Sequence, residues 1–164
     1  MIRSPRWTLA SIALAVAGTG VAGYLTLVAF DESLLVCGLG DCSTVQNSPY
    51  AKVSGIPIAL LGLVMYVVLL AVALARWRWW RHTEILTSTN VGIALAGTLY
   101  SGYLTYLELF VIHAICQWCV ASALLVTGIL LVEAWGLRSV LRGGVAPETA
   151  LTRVSGRQPH HPVP

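Results

Sequence analysis

The sequence predicts an all-α membrane protein, a four-transmembrane-helix bundle with an extracytoplasmic loop that carries a cysteine pair. Three observations predict it. The 164-residue chain is 57% hydrophobic and only 10% charged, against roughly 25% charged residues in an average soluble domain, so it has too little polar surface to cover a soluble globule. Four apolar segments, 7–30, 56–75, 85–112 and 116–135, each reach the roughly 20 residues that a bilayer core requires. The four cysteines fall in two pairs beside those segments: Cys37 and Cys42 between the first and second, and Cys116-Gln117-Trp118-Cys119 at the start of the fourth.

The first segment follows Arg3 and Arg6 and has small residues near Ala17 and Ala22, features that a signal peptide shares. Its apolar length exceeds the usual h-region of about 7–15 residues, so it is read as a retained span. Gly18, Gly20 and Gly23 on it suit close packing against other helices. Pro57 opens the second segment, where a missing N–H costs nothing. The third segment is longest, so it tilts or its ends leave the hydrocarbon. From Arg138 onward the chain has Gly143, Gly144, four prolines and scattered arginines with no sustained apolar period. The organisation is therefore a transmembrane domain at 1–137 and a mostly disordered cytoplasmic tail at 138–164. No internal repeat is present in the sequence.

Charge sets the expected orientation. Arg3 and Arg6 precede the first segment, Arg76, Arg78 and Arg81 follow the second, and Arg138, Arg142, Arg153 and Arg157 follow the fourth. The loop after the first segment holds Asp31, Glu32 and Asp41 against a lone Lys52, and the turn at His113 has no lysine or arginine. The positive-inside rule then makes both termini cytoplasmic and places all four cysteines at the outer face, where disulfides persist. Trp7, Trp77, Trp79 and Trp80 fit the cytoplasmic interface and Trp118 the outer one. The net charge of +3 comes from these flanking arginines. No basic patch interleaved with aromatics exists, so nucleic acid is excluded as a partner and membrane lipid is the expected surrounding.

Residues i and i+3 share one face of a helix, so Cys116 and Cys119 are neighbours if a helix begins there. A thiol at a helix N-terminus meets unsatisfied N–H groups that stabilise its thiolate, and Cys116 is the better placed of the two. The Cys37–Cys42 segment contains two glycines that let a small disulfide loop close or open. Each pair alone also suits a structural disulfide; two pairs on one side of a membrane suit a relay in which thiols exchange through mixed disulfides.

These cysteines, with Ser48-Pro49-Tyr50-Ala51, Gly55-Ile56-Pro57, and Gly62 with Tyr66, resemble in identity and order the bacterial homologues of vitamin K epoxide reductase. The resemblance spans the first to the fourth segment. It implies a four-helix bundle enclosing a quinone of the menaquinone or ubiquinone type, in the inner membrane of a bacterium. By the same resemblance Cys119 lies nearest the quinone and Cys116 is its resolving partner. Cys42 would form an internal disulfide with Cys116, Cys37 would meet an exported thioredoxin-like protein of the DsbA kind, and Ser48 holds the family's serine position. Pro57, Ile58 and Ala59 are the expected cavity residues. The spacing from Cys37 to Cys42 is shorter than in many relatives, and there is no fused thioredoxin-like domain, so a separate partner is expected.

His113, three residues before Cys116, suits either an interfacial role or proton supply to a thiolate beside the quinone. Tyr100, Tyr103 and Tyr106 recur every three residues and suit a packing stripe or a hydrogen bond to a quinone carbonyl, with Tyr103 the candidate. Glu108 is expected at the outer interface, although an ionisable group within a span is a functional candidate by default. The implied function is quinone-dependent oxidation of partner thiols. The same residues suit a thiol-driven quinone or vitamin K epoxide reductase, and two permanent disulfides would instead staple a non-catalytic scaffold. Cysteine pairs also bind soft metals, but Met1 and Met65 lie far from the thiols and no metal is expected.

Overall fold

A computed structural model describes residues 6–78 and 83–144. Arg3, Trp79, Trp80, Arg81 and the expected tail beyond Gly144 lie outside them. Four helices are long and apolar enough to cross a membrane. They are α1 (Arg6–Phe30), α3 (Ile58–Arg78), α4 (Thr83–Leu107) and α5 (Gln117–Gly144). A short helix α2 (Cys42–Gln46) and a hairpin of β1 (Lys52–Val53) and β2 (Ile56–Pro57) fill the loop between α1 and α3. A π turn at Glu108–Ile112 extends α4. α5 runs seven residues past the expected boundary at 137, so the segment read as tail begins as helix.

In hydrocarbon every polar group must find a partner within the protein. The helices meet that demand locally: Thr19, Thr26, Thr98 and Thr127 each donate to the carbonyl one turn back, at 2.7–2.8 Å. The four helices form a ring in which α1 and α4 each pack against both α3 and α5. Between them lie Ala15, Ala22, Tyr66, Leu69, Ala94, Val126 and Ile129, all buried. Tyr66 is fully buried and donates its hydroxyl to the Ser122 carbonyl at 2.6 Å, tying α3 to α5. Gly18 permits this, because a Cβ there would overlap the Tyr66 ring. Of the three glycines expected to pack closely, only Gly18 does so; Gly20 meets nothing within 4 Å and Gly23 touches only Leu63.

At the end of the bundle remote from the cysteines, the helices share a buried polar cluster. Arg76 pairs with Glu133 at 2.6 Å and again at 3.0 Å. Ser11 and Asn90 donate to the same carboxylate at 2.5 and 3.1 Å, and the Arg76 guanidinium lies 4.2 Å above the Trp7 ring. Arg76 is therefore not the loop charge that its sequence position suggested. It belongs to α3 and is 3% exposed, because Glu133 on α5 supplies its counter-charge. Trp7 at the same end is buried against the guanidinium of Arg76.

Candidate active site

The loop between α1 and α3 is built to hold Cys42 against the start of α5. Tyr24 donates its hydroxyl to the Leu34 carbonyl at 3.0 Å and accepts the Val36 N–H at 2.8 Å. Trp118 stacks on Tyr24 with 4.8 Å between ring centroids and donates Nε1–H to the Val36 carbonyl at 2.8 Å. Gln117 accepts the Leu39 N–H at 2.9 Å. The loop then runs antiparallel to the CxxC segment: Gly40 bridges Cys116, and the Asp41 N–H reaches the Ile115 carbonyl at 3.0 Å. Gly40 has φ +83°, and a Cβ there would collide with the Ile115 carbonyl, so the close approach demands glycine on two counts.

Asp41 caps α2 by accepting the Thr44 N–H at 3.1 Å, the Thr44 hydroxyl at 2.6 Å and the Ser43 hydroxyl at 2.8 Å. Those bonds, from Thr44 first, hold its carboxyl below the usual range. The cap starts a helical turn at Cys42 and points that residue inward. Cys42 and Cys116 are both fully buried in one small cluster with Val45. Cys37 is exposed and forms a disulfide with Cys42, with 6.1 Å between their Cα atoms. Cys116 and Cys119 are free thiols. The Cys116 thiol is lowered to about 7, chiefly by the hydrogen bond from Cys119 and further by the N–H groups of Cys119 and Trp118, against the opposing effect of burial.

Behind Cys119 lies a cavity of about 430 Å³, within the range of ligand pockets of roughly 300–1,000 Å³. Its walls are mostly apolar and come from all four spanning helices and the loop. Cys119, Ser48, Ser122 and Glu108 bring polar atoms to it. Of the expected quinone-binding residues, Cys119, Ile58 and Ala59 line it, and Ser48 joins them with its hydroxyl donated to the Val45 carbonyl at 2.8 Å. Pro57, Tyr103 and His113 do not. Pro57 belongs to β2, paired with Lys52 just before α3. A three-residue spacing drifts around a helix of period 3.6, so Tyr100 lines the cavity while Tyr103 is 53% exposed. His113 is the exposed left-handed residue that ends the π turn.

Glu108 also departs from expectation, being buried at 4% exposure instead of lying open at the interface. Its side chain accepts the Cys116 N–H at 3.1 Å and lies within reach of the Cys119 thiol. Ser122 had no assigned role in the sequence reading, and Tyr100 entered it only as one of the three tyrosines of the stripe. Ser122 lies one turn beyond Cys119, which is the only signal that pointed to it.

A thiol of lowered pKa at Cys116, a free Cys119 one turn on, a second cysteine pair one bridge away and an apolar cavity behind the deeper sulfur have the makings of a thiol redox site. The chain matches the vitamin K epoxide reductase family over residues 9–134. It belongs to that family. Vitamin K epoxide reductase family members use cysteines to reduce quinones or quinone epoxides within the membrane, so this chain is a multi-pass membrane oxidoreductase. The match begins within α1 and ends within α5, so it encloses both cysteine pairs and the whole cavity. The cavity fits a quinone by the chemistry of its walls: apolar surface for a flat ring and side chain, hydroxyls for its carbonyl edge, and a thiol within it. Cys119, Ile58, Ala59 and Ser48 are the residues that would hold it.

Proposed function

We propose that this protein oxidises the thiols of a separate exported thioredoxin-like protein and passes the electrons to a membrane quinone, supporting disulfide formation outside the cytoplasm. The observation that carries this reading is the graded burial of the four sulfurs. Cys37 is open to solvent, Cys42 and Cys116 share one buried cluster, and Cys119 faces the cavity. That gradient supports one order of transfer.

A partner dithiol reduces the Cys37–Cys42 disulfide and leaves as a disulfide. Cys42 as thiolate then attacks Cys116 of an oxidised Cys116–Cys119 pair, forming the Cys42–Cys116 bond and releasing Cys119. Cys37 attacks Cys42 in turn, restoring the loop disulfide and releasing Cys116. Oxidised loop cysteines with reduced Cys116 and Cys119 is the arrangement in which the electrons have reached the cavity side. A quinone held there by Cys119, Ser48, Ile58 and Ala59 would supply the acceptor for two electrons and two protons. The lowered pKa of Cys116 suits it to leave from Cys42, since a leaving thiol of low pKa departs faster. Ser48, at the cavity wall, is the proposed positioning hydroxyl.

In this reading the cysteines face the exterior of a bacterial inner membrane and both termini the cytoplasm, as the arginine distribution favours. The test replaces Cys116 or Cys119 by Ala and follows the redox state of the exported partner in membranes. Accumulation of reduced partner is expected, and an equally oxidised partner rules the oxidase out. A Cys37→Ala variant should accumulate the Cys42–Cys116 disulfide, because the thiol that resolves it is gone.

A further inference from the structure

A buried carboxylate in a membrane protein is costly unless it is paired or has a task. Glu133 is paired with Arg76. Glu108 has no lysine or arginine partner among the described residues, yet it is just as enclosed. Its contacts run to the redox pair instead. One oxygen takes the Cys116 N–H, the carboxyl lies within reach of the Cys119 thiol, and the group lines the same cavity as Cys119. The backbone is shaped to hold it there. The π turn begins at Glu108, His113 turns left-handed at φ +56°, and the N–H groups of His113 and Ala114 both return to the Glu108 carbonyl.

We propose that Glu108 is a catalytic carboxylate that takes the proton Cys119 gives up when the Cys116–Cys119 pair is oxidised. The inference rests on the dithiol–disulfide cycle proposed above. Starting from Cys116 as thiolate and Cys119 as thiol, the Cys119 S–H bond breaks and its proton moves to the Glu108 carboxylate. The two sulfurs join, and two electrons leave to the acceptor. Glu108 then holds, inside the cavity, one of the two protons that a quinone consumes.

The other groups around it leave this role open to Glu108. α5 contributes Cys116 and Cys119, and α2 contributes neutral Gln46 and the oxidised Cys42. The first turns of α3 carry no ionisable side chain. Tyr100 of α4 and Tyr50 of the loop line the cavity, and Tyr24 of α1 is engaged with Leu34 and Val36. Lys52, Asp41 and His113 are exposed.

The experiment uses the purified full chain in lipid without quinone, poised between dithiol and disulfide by reduced and oxidised dithiothreitol. Infrared difference spectra of the wild-type protein should show a carboxylic-acid C=O band appearing as the S–H band disappears. Glu108→Gln should remove that band, since glutamine still accepts the Cys116 N–H but takes up no proton. The equilibrium constant against dithiothreitol should also change about tenfold less per pH unit in Glu108→Gln than in wild type, because the variant releases one of the two protons that dithiothreitol takes up. No acid band in the wild-type protein overturns the proposal without any variant, as does a band that survives in Glu108→Gln. Added quinone separates the two readings. A dithiol that quinone leaves unoxidised while the band persists removes the quinone and keeps Glu108. Oxidation by quinone without an acid band removes only Glu108's role.

Discussion

Two cysteines three positions apart receive opposite treatment from their surroundings. Cys116 lies at the entrance to α5, where hydrogen bonding from Cys119 holds its thiol at about 7, and Cys119 lies a turn deeper on the cavity wall. Cys116 in the dithiol protein should therefore be alkylated with half-maximal rate near pH 7. The rate should fall below that pH as the sulfur takes a proton. In Cys119→Ala the midpoint should move upward, because the donor that contributes most to the lowering is lost; an unmoved midpoint would show that the backbone N–H groups suffice. Tyr66 offers a stability counterpart. Tyr66→Phe removes the bond to the Ser122 carbonyl and should cost about 1 kcal/mol, whereas Gly18→Leu should cost considerably more by displacing the whole ring. Thermal unfolding in detergent distinguishes them. The cysteine pairs were picked out by local spacing, and Ser48, which lines the cavity with Cys119, by the order of motifs around it. Tyr103 does not line the cavity while Tyr100 does, because a spacing of three residues does not say which member of a stripe faces inward.

At the level of elements, the Gly40–Cys116 bridge and the Asp41 cap join the loop to the redox helix. Gly40→Ala introduces both a strained backbone and a clash with Ile115. It should slow Cys42–Cys116 exchange while leaving the Cys37–Cys42 disulfide able to form, as rapid-quench trapping would show. Asp41→Ala should act in the same direction by releasing the first turn of α2. The buried cluster at the opposite end ties all four spanning helices through Ser11, Arg76, Asn90 and Glu133. Removing one partner of a buried ion pair typically costs about 3–5 kcal/mol, while replacing both by apolar residues is often neutral. Glu133→Leu alone should thus lower the unfolding temperature sharply, and Arg76→Met with Glu133→Leu should recover most of it. No sequence rule predicted the pair. Arg76 and Glu133 lie 57 positions apart, and the arginine's place at a segment end made it look like one more interfacial charge.

The whole molecule separates its two ends by chemistry. One end is locked by a buried ion pair, and the other holds four sulfurs that run from the exposed Cys37 to the wall of an enclosed cavity. An impermeant thiol reagent applied to intact cells after mild reduction should label Cys37 and not Cys119, given external cysteines and the depth of the cavity. Labelling of Cys37 only after the membrane is opened would reverse the proposed orientation. Composition and segment lengths alone determined the four spans, the helical class and the cysteine-bearing loop, because transfer of backbone into hydrocarbon leaves few alternatives to a long apolar helix. Motif order alone pointed to the family. Only the tertiary structure decided which tyrosine lines the cavity, which arginine is buried, and that Glu108 reaches both cysteines. Those outcomes depend on how helix faces meet across long stretches of chain, and local periodicity carries no record of the partner face.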